Sequence, residues 1–340
     1  MTRIWFNHWF STAYHLIQLM RQGSAEALYV IGSSRNDYAI YRSACEEWYT
    51  EPEIQSDEAY VSFCLEFCRQ HEVDIFVPRH RITAIASQLD SFHEIGVSVL
   101  CGNNAERMHI LESKQKTYEF FVEQGFEDCI PEYLTVHSFE EFCTAYETFH
   151  SKGHRVCYKL TEDEGALTFR VIDNRLEQLS ALYSKPNTKV TLSAAKRILQ
   201  GYDFSVPMLV MPYLEGPEIS VDCLSTVQGN IVIPRYKTDH RYSIVKFHPE
   251  IMSLSNRILD ILSLNAPINL QFRMNQGKIF LLEINPRMSG GLQLSCLATG
   301  INLPAIALQQ LLGKDLPWQY ANYEEQRVAH IETPICLQQS

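Results

Sequence analysis

Residues 269–287 read NLQFRMNQGKIFLLEINPR and gather oxygen donors and cations in a pattern that two strands can organise. Asn275, Gln276 and Gly277 suit a three-residue hairpin loop, with the glycine supplying the left-handed position. Met274 then faces Lys278, Gln271 faces Leu281 and Asn269 faces Glu283. Strand alternation predicts one apolar face of Leu270, Phe272, Phe280, Leu282 and Ile284, and a second face carrying Gln271, Glu283 and Asn285. Three oxygen donors beside Arg273 and Arg287 form part of the shell that a hard cation such as Mg²⁺ takes, with phosphates and waters completing it. An arginine next to that ion can hold an anion through its planar fork. A lone Glu-x-Asn on a hairpin is ordinarily a wet sheet face. The continuation through Pro286 and Arg287 to a Ser289, Gly290, Gly291 turn raises it above that, because the turn opens a helix whose first amides can hold a further anion.

Two basic groups follow strand-like runs elsewhere. Arg79, His80 and Arg81 come after VDIFVP, and Arg235, Lys237 and Arg241 lie in and after NIVIPRYK. Cations at strand ends in an acidic chain suggest an anionic substrate, with Arg79 and Arg235 the expected contacts and Lys237 and His240 ordinary solvated charges. Cys64 and Cys68 share a helix face, where two small core residues are expected rather than a metal site. NHWFST follows the first strand in place of GxGxxG, so a dinucleotide fingerprint is absent. No Ser-His-Asp or Cys-His set stands out. Phosphoryl transfer does not need one, because it runs on positioning and charge neutralisation.

The elements that must position these groups follow from periodicity. Up to about residue 110, strands (RIWFN, ALYVIGSS, VDIFVP, VSVLCG) alternate with helical patterns, one over about 57–70 and another over 82–89. That alternation predicts a parallel sheet covered by helices, with ligands beyond the strands' carboxyl ends. From about 105 the pattern changes: one helix over 105–124, a Ser138-led helix, and a β pair of RVCYKL and ALTFRVI joined by an acidic TEDEG loop. The strands PMLVMPYL, EISVDCLST and NIVIPRYK come next, then a helix, the donor hairpin and two short helices. The last 20 or so residues read as a tail.

With LLEINPRMSGG preceded by NLQF, the sequence resembles the ATP-grasp superfamily, and most of all the half-domains of the carbamoyl-phosphate synthetase large subunit. The resemblance implies an α/β chain: a Rossmann-like pre-ATP-grasp domain (1–108), then a two-lobed ATP-grasp domain with lobes at 109–205 and 206–316, and a tail at 317–340. LVMPYLEGPEISVD resembles the hinge between lobes. There, main-chain groups of Pro212 and Leu214 would read adenine in a slot that includes Met211 and Tyr213, and Glu218 would take the ribose hydroxyls. Lys114 and Lys159 match phosphate-side lysines. Gln271, Glu283 and Asn285 match ligands of one or two Mg²⁺ ions, with Mn²⁺ as a substitute. As the catalytic pair, Arg287 would stabilise the transferred phosphoryl group and the acyl-phosphate and Lys159 would help neutralise the triphosphate, and Arg79, Arg235 and Ser289 would face the acceptor substrate. One departure is plain: the family's glycine-rich phosphate loop is replaced by Thr161, Glu162, Asp163, Glu164, Gly165 and Ala166.

The implied activity is ATP-dependent ligation, a carboxylate being activated as an acyl-phosphate for attack by an amine or similar nucleophile. A small-molecule kinase and a non-catalytic ATP-binding regulatory subunit are the alternatives. Composition bounds the partners. The 340 residues carry 29 Lys+Arg against 40 Asp+Glu, a net charge of −11, with 46% hydrophobic and 20% charged residues. This describes a globular chain that repels nucleic acid and anionic membranes, so ATP and a small anionic carboxylate are the expected partners, with a homodimer as the family's common arrangement. No stretch reaches the ~18 apolar residues of a membrane span. Ten cysteines without a CxxC pair fit a cytoplasmic protein.

Overall fold

The first strand, β1 (Thr2–Asn7), is buried on both faces: Ile4, Trp5, Phe6 and Asn7 are all 0% exposed, as a central parallel strand requires. The computed structural model describes residues 1–163, 166–177, 188–238, 240–321 and 323–337. It divides into two compact units, one of Met1–His109, Pro217–Gln271 and Ile284–Ser340, the other of Ile110–Gly216 and Phe272–Glu283.

After β1 come α1 (Ala13–Gly23), β2 (Leu28–Ser34), β3 (Glu47–Thr50), α2 (Asp57–Gln70), β4 (Ile75–Val77), α3 (Ile82–Ala86), α4 (Leu89–Glu94) and β5 (Ser98–Val99). The five strands form one parallel sheet in the order β3-β2-β1-β4-β5. Trp5 stacks between Phe67 of α2 and Phe76 of β4, with ring centroids 4.3 and 4.0 Å away. Ser56 caps α2 by accepting from the Ala59 N–H, and Asp57 and Glu58 suit the positive end of that helix. The expected helix over 82–89 is instead two short helices. The four-residue strand β3 escapes the sequence reading. The chain leaves β1 toward β2 on one side and reaches β4 on the other, so the loops after β1 and β4 flank a topological switch point.

The helix expected over 105–124 is two helices, α5 (Ala105–Glu112) and α6 (Lys114–Glu123), broken where Ser113 takes an extended conformation. The physical reason is long-range: the Lys114 N–H leaves the helical pattern to donate to the Thr161 carbonyl at 2.8 Å. Lys114 is thereby the first residue of a helix. Next come β6 (Leu134–Val136), α7 (Phe139–His150), β7 (Val156–Leu160), β8 (Arg170–Ile172), β9 (Lys189–Val190), α8 (Leu192–Leu199) and β10 (Met208–Pro212). These five strands form a sheet ordered β6-β10-β7-β8-β9. Phe142, Tyr146 and Phe149 of α7 pack on Val156, Tyr158 and Val210. Ser138 caps α7 through the Glu141 N–H.

The remaining elements are β11 (Glu218–Thr226), β12 (Gly229–Lys237), β13 (Tyr242–Val245), α9 (Pro249–Leu262), β14 (Ile268–Asn275), β15 (Lys278–Asn285), α10 (Leu292–Thr299), α11 (Leu303–Leu311) and β16 (Gln326–Ala329). Their six strands are ordered β15-β14-β11-β12-β13-β16. Within the first unit, α1 packs on α10 and α11, and one apolar core runs from Phe6 and Leu16 to Ile231, Leu292 and Leu308. The residues expected as a tail take part: Tyr320 is buried and donates its hydroxyl to the Val232 carbonyl at 3.0 Å, and β16 pairs antiparallel with β13. Among the described residues no single helix is long and apolar enough to cross a membrane.

Candidate functional site

In the second unit the strand β7 carries Lys159 inward, 7% exposed, rather than to solvent as an isolated strand lysine would be. Its ammonium donates to the Leu282 carbonyl at 3.1 Å and lies 3.5 Å from the Tyr118 hydroxyl. Tyr118 itself donates to that same carbonyl at 2.7 Å. Lys114, also buried, donates to the Asp163 carboxylate and to its carbonyl at 3.1 Å, and stands 3.8 Å from Glu283 Oε2. Two ammonium groups therefore converge on the end of β15 that bears Glu283.

Asp163 explains how an acidic loop is tolerated here. Its carboxylate turns toward Lys114 and accepts from the Thr168 N–H at 3.1 Å and from the Thr168 hydroxyl. Burial pushes this carboxyl's pKa up, but the bonds from Lys114 and Thr168 outweigh it and hold the group below the usual carboxylate range. Glu162 is exposed, and Glu164 and Gly165 lie outside the described residues.

The segment expected as a hinge follows from β10. Met208, Leu209, Val210 and Met211 are buried, which supplies an apolar strand, and Pro212 ends it. The Tyr213 ring is flanked by the guanidiniums of Arg155 at 4.8 Å and Arg273 at 5.4 Å. Arg273 also donates to the Leu214 carbonyl at 2.9 Å. Gly216 passes so close to the hairpin that a Cβ on it would fall 1.6 Å from the Met274 carbonyl oxygen, which only glycine avoids.

The hairpin turn is the two residues Gln276 and Gly277, not the expected three, so the expected pairing of Met274 with Lys278 is displaced; of the expected apolar face, Leu270, Phe272 and Ile284 are buried. Ile279 and Leu281, which share the side of Glu283 and Asn285, are buried, while Phe280 and Leu282 are only half-buried. The side with the oxygen donors is therefore covered rather than an open wet face, and Glu283 retains 15% side-chain exposure. Glu283 belongs to the second unit and Gln271 and Asn285 to the first. Asn285 Oδ1 accepts from Arg287 Nη2 at 3.4 Å.

In the first unit Arg235 is 6% exposed and sits in a polar pocket of its own. Its Nη2 reaches Ser220 Oγ at 3.2 Å, Ser289 Oγ at 3.4 Å and Asp222 Oδ2 at 3.8 Å. Asp222 is held in turn by Ser295 Oγ at 2.6 Å and Asn269 Nδ2 at 2.9 Å. Glu218 accepts from Lys237, which is exposed as expected and also forms an ion pair.

At the switch point, Arg79 donates its N–H to Asn7 Oδ1 at 2.7 Å and its Nη1 to the His8 carbonyl at 3.3 Å. Its guanidinium lies 5.6 Å from the Phe10 ring centroid, and that of Arg287 lies 5.5 Å from the same centroid. Beneath them Glu51, its side chain 0% exposed, accepts from Ser33 Oγ at 2.5 Å and Tyr60 OH at 2.7 Å, and bonds His8 Nε2 at 2.8 Å. The His80 ring centroid is 4.8 Å from that of His8. Burial first, then the neighbouring His8 and Arg81, pushes the His80 pKa down to about 4. Sequence reasoning missed Phe10, Thr12, Glu51, Asp163 as a partner of Lys114, and Asp222. The signal available for Glu51 was the aromatic run EWYT just before it, which marks an unassigned strand.

As side-chain types, the Glu283 carboxylate of the second unit and the Gln271 and Asn285 amides of the first are donors that a hard cation takes. Among the described residues no three His, Cys, Asp or Glu side chains gather as a self-sufficient metal site. One carboxylate with two amides leaves most of a Mg²⁺ shell to phosphates and water, as nucleotide-bound magnesium requires.

This architecture is the ATP-grasp fold. A family model described as ATP-grasp in the biosynthetic pathway with Ter operon matches residues 204–334. Over 245 residues, 67% of the chain, the sequence is 24% identical to the carbamoyl phosphate synthase large chain of Clostridium acetobutylicum, and the match spans 21% of that protein. The chain thus corresponds to about a fifth of that relative's length. Among solved structures, the biotin carboxylase domain dimer of Hydrogenobacter thermophilus 2-oxoglutarate carboxylase, in complex with MgADP, ADP and bicarbonate, aligns with a TM-score of 0.65 at 13% identity, covering 94% of this chain and 71% of that one. The L-amino acid ligase from Bacillus licheniformis aligns with a TM-score of 0.65 at 16% identity, covering 92% and 74%. The fold expected from the LLEINPRMSGG and NLQF segments is thereby shown.

Proposed function

We propose that this protein is an ATP-dependent ligase that activates a carboxylate as an acyl-phosphate and passes the acyl group to an amine or similar nucleophile. The observation that carries the reading is the convergence of two buried lysines, Lys114 and Lys159, on the Leu282–Glu283 end of β15. Asp163 and Glu283 already meet Lys114, so a triphosphate would compete with them for that ammonium group while adding anionic charge beside Lys159.

In this reading main-chain groups of Pro212 and Leu214 hold the adenine edge beside Met211 and Tyr213, and Glu218 holds the ribose. Lys114 and Lys159 neutralise the phosphates. Gln271, Glu283 and Asn285 would hold Mg²⁺, which when bound offsets the charge of the triphosphate. A carboxylate oxygen of the substrate bonds to the γ-phosphorus as the bridging oxygen leaves with ADP. The nucleophile then bonds to the carbonyl carbon, phosphate departs with the electron pair of the C–O bond, and the proton lost by the nucleophile goes to that phosphate or to water. Arg287 steadies the moving phosphoryl group, while Arg79 and Ser289 face the acceptor. Arg235 supports Ser289 from its pocket. The carbamoyl phosphate synthase and amino acid ligase relatives make carboxylate activation the natural chemistry to test first.

The experiment is an ATP-turnover screen against amino acids, dipeptides and phosphorylated acids with Mg²⁺ present, followed by product analysis. A ligase releases free phosphate together with a joined product. A stable phospho-ester would replace this reading by a kinase, and ATP binding without turnover across the panel would replace it by a regulatory subunit.

A further inference from the structure

Three stretches of the first unit that are remote in sequence converge on one ring. The loop after β1 supplies Phe10 and Thr12, the loop after β4 supplies Arg79, and the segment after β15 supplies Arg287 and Gly290. Both guanidiniums lie within 5.6 Å of the Phe10 centroid, and a Cβ on Gly290 would fall 3.5 Å from Thr12 Oγ1 and 3.7 Å from Phe10 Cε2. The convergence stands at the topological switch point, where open parallel sheets receive ligands.

We propose that Arg79, Phe10 and Thr12, beside Arg287, form a subsite for a compact acceptor that carries an oxyanion a few bonds from its nucleophile. A guanidinium beside an aromatic ring is restrained by it and keeps N–H donors that carboxylate and phosphate oxygens match, although Arg79 gives its Nη1 to the His8 carbonyl. Thr12 Oγ1 is buried and has no hydrogen-bond partner among the described residues, which is the state of a hydroxyl that a ligand or water completes. Size follows from the two ring distances. The guanidinium carbons are at most about 11 Å apart, and an extended chain covers ~3.3–3.6 Å per residue. The part of a ligand that spans from Arg79 to the acyl-phosphate at Arg287 is therefore no longer than about three residues. That selects an amino acid, a dipeptide or a small phosphorylated amine over an uncharged amine. The inference rests on the ligase reading for the role of Arg287.

The test is calorimetric titration of the full chain with Mg²⁺ and a non-hydrolysable ATP analogue, using β-alanine, phosphoethanolamine and ethanolamine as probes. At least one anionic probe is expected to bind ten-fold or more tighter than ethanolamine, and the preferred one identifies carboxylate or phosphate as the anion. Arg79→Gln should lose at least ten-fold of that affinity, Arg79→Lys should recover part of it, and analogue affinity should not change. Thr12→Val, which keeps the shape of the side chain, should lose several-fold and serves if Arg79→Gln does not fold. The subsite is overturned if neither anionic probe exceeds ethanolamine, or if folded Arg79→Gln and Thr12→Val bind them as the parent protein does. Failure of the analogue itself to bind would count against the ligase reading alone, and the probes titrated without nucleotide would still decide the subsite.

Discussion

The Arg235 guanidinium fills the space that a side chain on residue 291 would need: a Cβ at Gly291 would fall 2.3 Å from Arg235 Nη2 and 2.4 Å from its Cζ. The glycine of the Ser289–Gly291 turn is thus set by a buried arginine from β12, not by backbone conformation. Gly291→Ala is expected to drive the guanidinium out of its contacts with Ser220, Ser289 and Asp222, costing about 1–3 kcal/mol by overpacking. Urea denaturation measures this. Arg235→Ala combined with Gly291→Ala should be less destabilised than the sum of the two single changes, and additivity would show that the two positions do not compete for one space.

Lys114 is shared between Asp163 and Glu283. A nucleotide phosphate that claims Lys114 must compete with Asp163. Asp163→Asn should therefore tighten ATP binding by a few-fold, whereas Lys114→Met should weaken it ten-fold or more, both read by calorimetry. Weaker binding in Asp163→Asn would assign the aspartate to holding the lysine in place instead.

Glu283→Gln removes the single carboxylate of the proposed Mg²⁺ set. The strengthening of ATP binding by Mg²⁺ should shrink at least ten-fold, while binding measured without the metal should change little. Equal loss with and without Mg²⁺ would place Glu283 against the nucleotide or the fold rather than the ion.

Stability should fall on the acid side for two reasons. His80 is held neutral down to about pH 4, whereas an unfolded histidine binds its proton near 6.5. Between those values the unfolded chain takes up more protons, so stability drops as pH falls through that window. Glu51 has its carboxyl pKa pushed up by burial but pulled below the ordinary value by His8, Ser33 and Tyr60. Its contribution is present above the unfolded carboxyl pKa of about 4.3 and is lost as pH falls further, through the folded value. Denaturant midpoints at pH 7 and pH 5 should differ for the parent protein and differ less for His80→Gln, by on the order of 1 kcal/mol after solvent screening. An unchanged pH slope in His80→Gln would sink this account.

Gly216→Ala would place a methyl group against the Met274 carbonyl, a backbone atom that cannot swing aside. The expected loss is about 3 kcal/mol or more, seen as a lowered denaturant midpoint together with weakened ATP binding. A neutral result would mean that the hinge and the hairpin do not meet there.

Much of the fold is legible in the chain itself. The strand at 75–77 and the helix at 57–70 follow from periodicity and caps, and a glycine at φ +81° marks the hairpin turn, which closes on the two residues Gln276 and Gly277 instead of the expected three. Three readings go differently because distant groups decide them. A carbonyl at Thr161 breaks the helix at Ser113, the β13 edge recruits residues 326–329, and packing covers the hairpin face that carries Glu283.

The sequence alone carried the resemblance to the ATP-grasp fold, since the LLEINPRMSGG and NLQF segments need no partner to be read. It also supplied the candidate donors Gln271, Glu283 and Asn285 as residue types on adjacent strands. Only the tertiary structure decided that Lys159 points inward, that Asp163 engages Lys114, that Arg235 lies under a glycine turn, and that Arg79 and Arg287 share the Phe10 ring. These depend on burial and on contacts between residues as far apart in sequence as Phe10 and Arg287. Residue type fixes what a side chain can do, and the packing of distant elements fixes its neighbours.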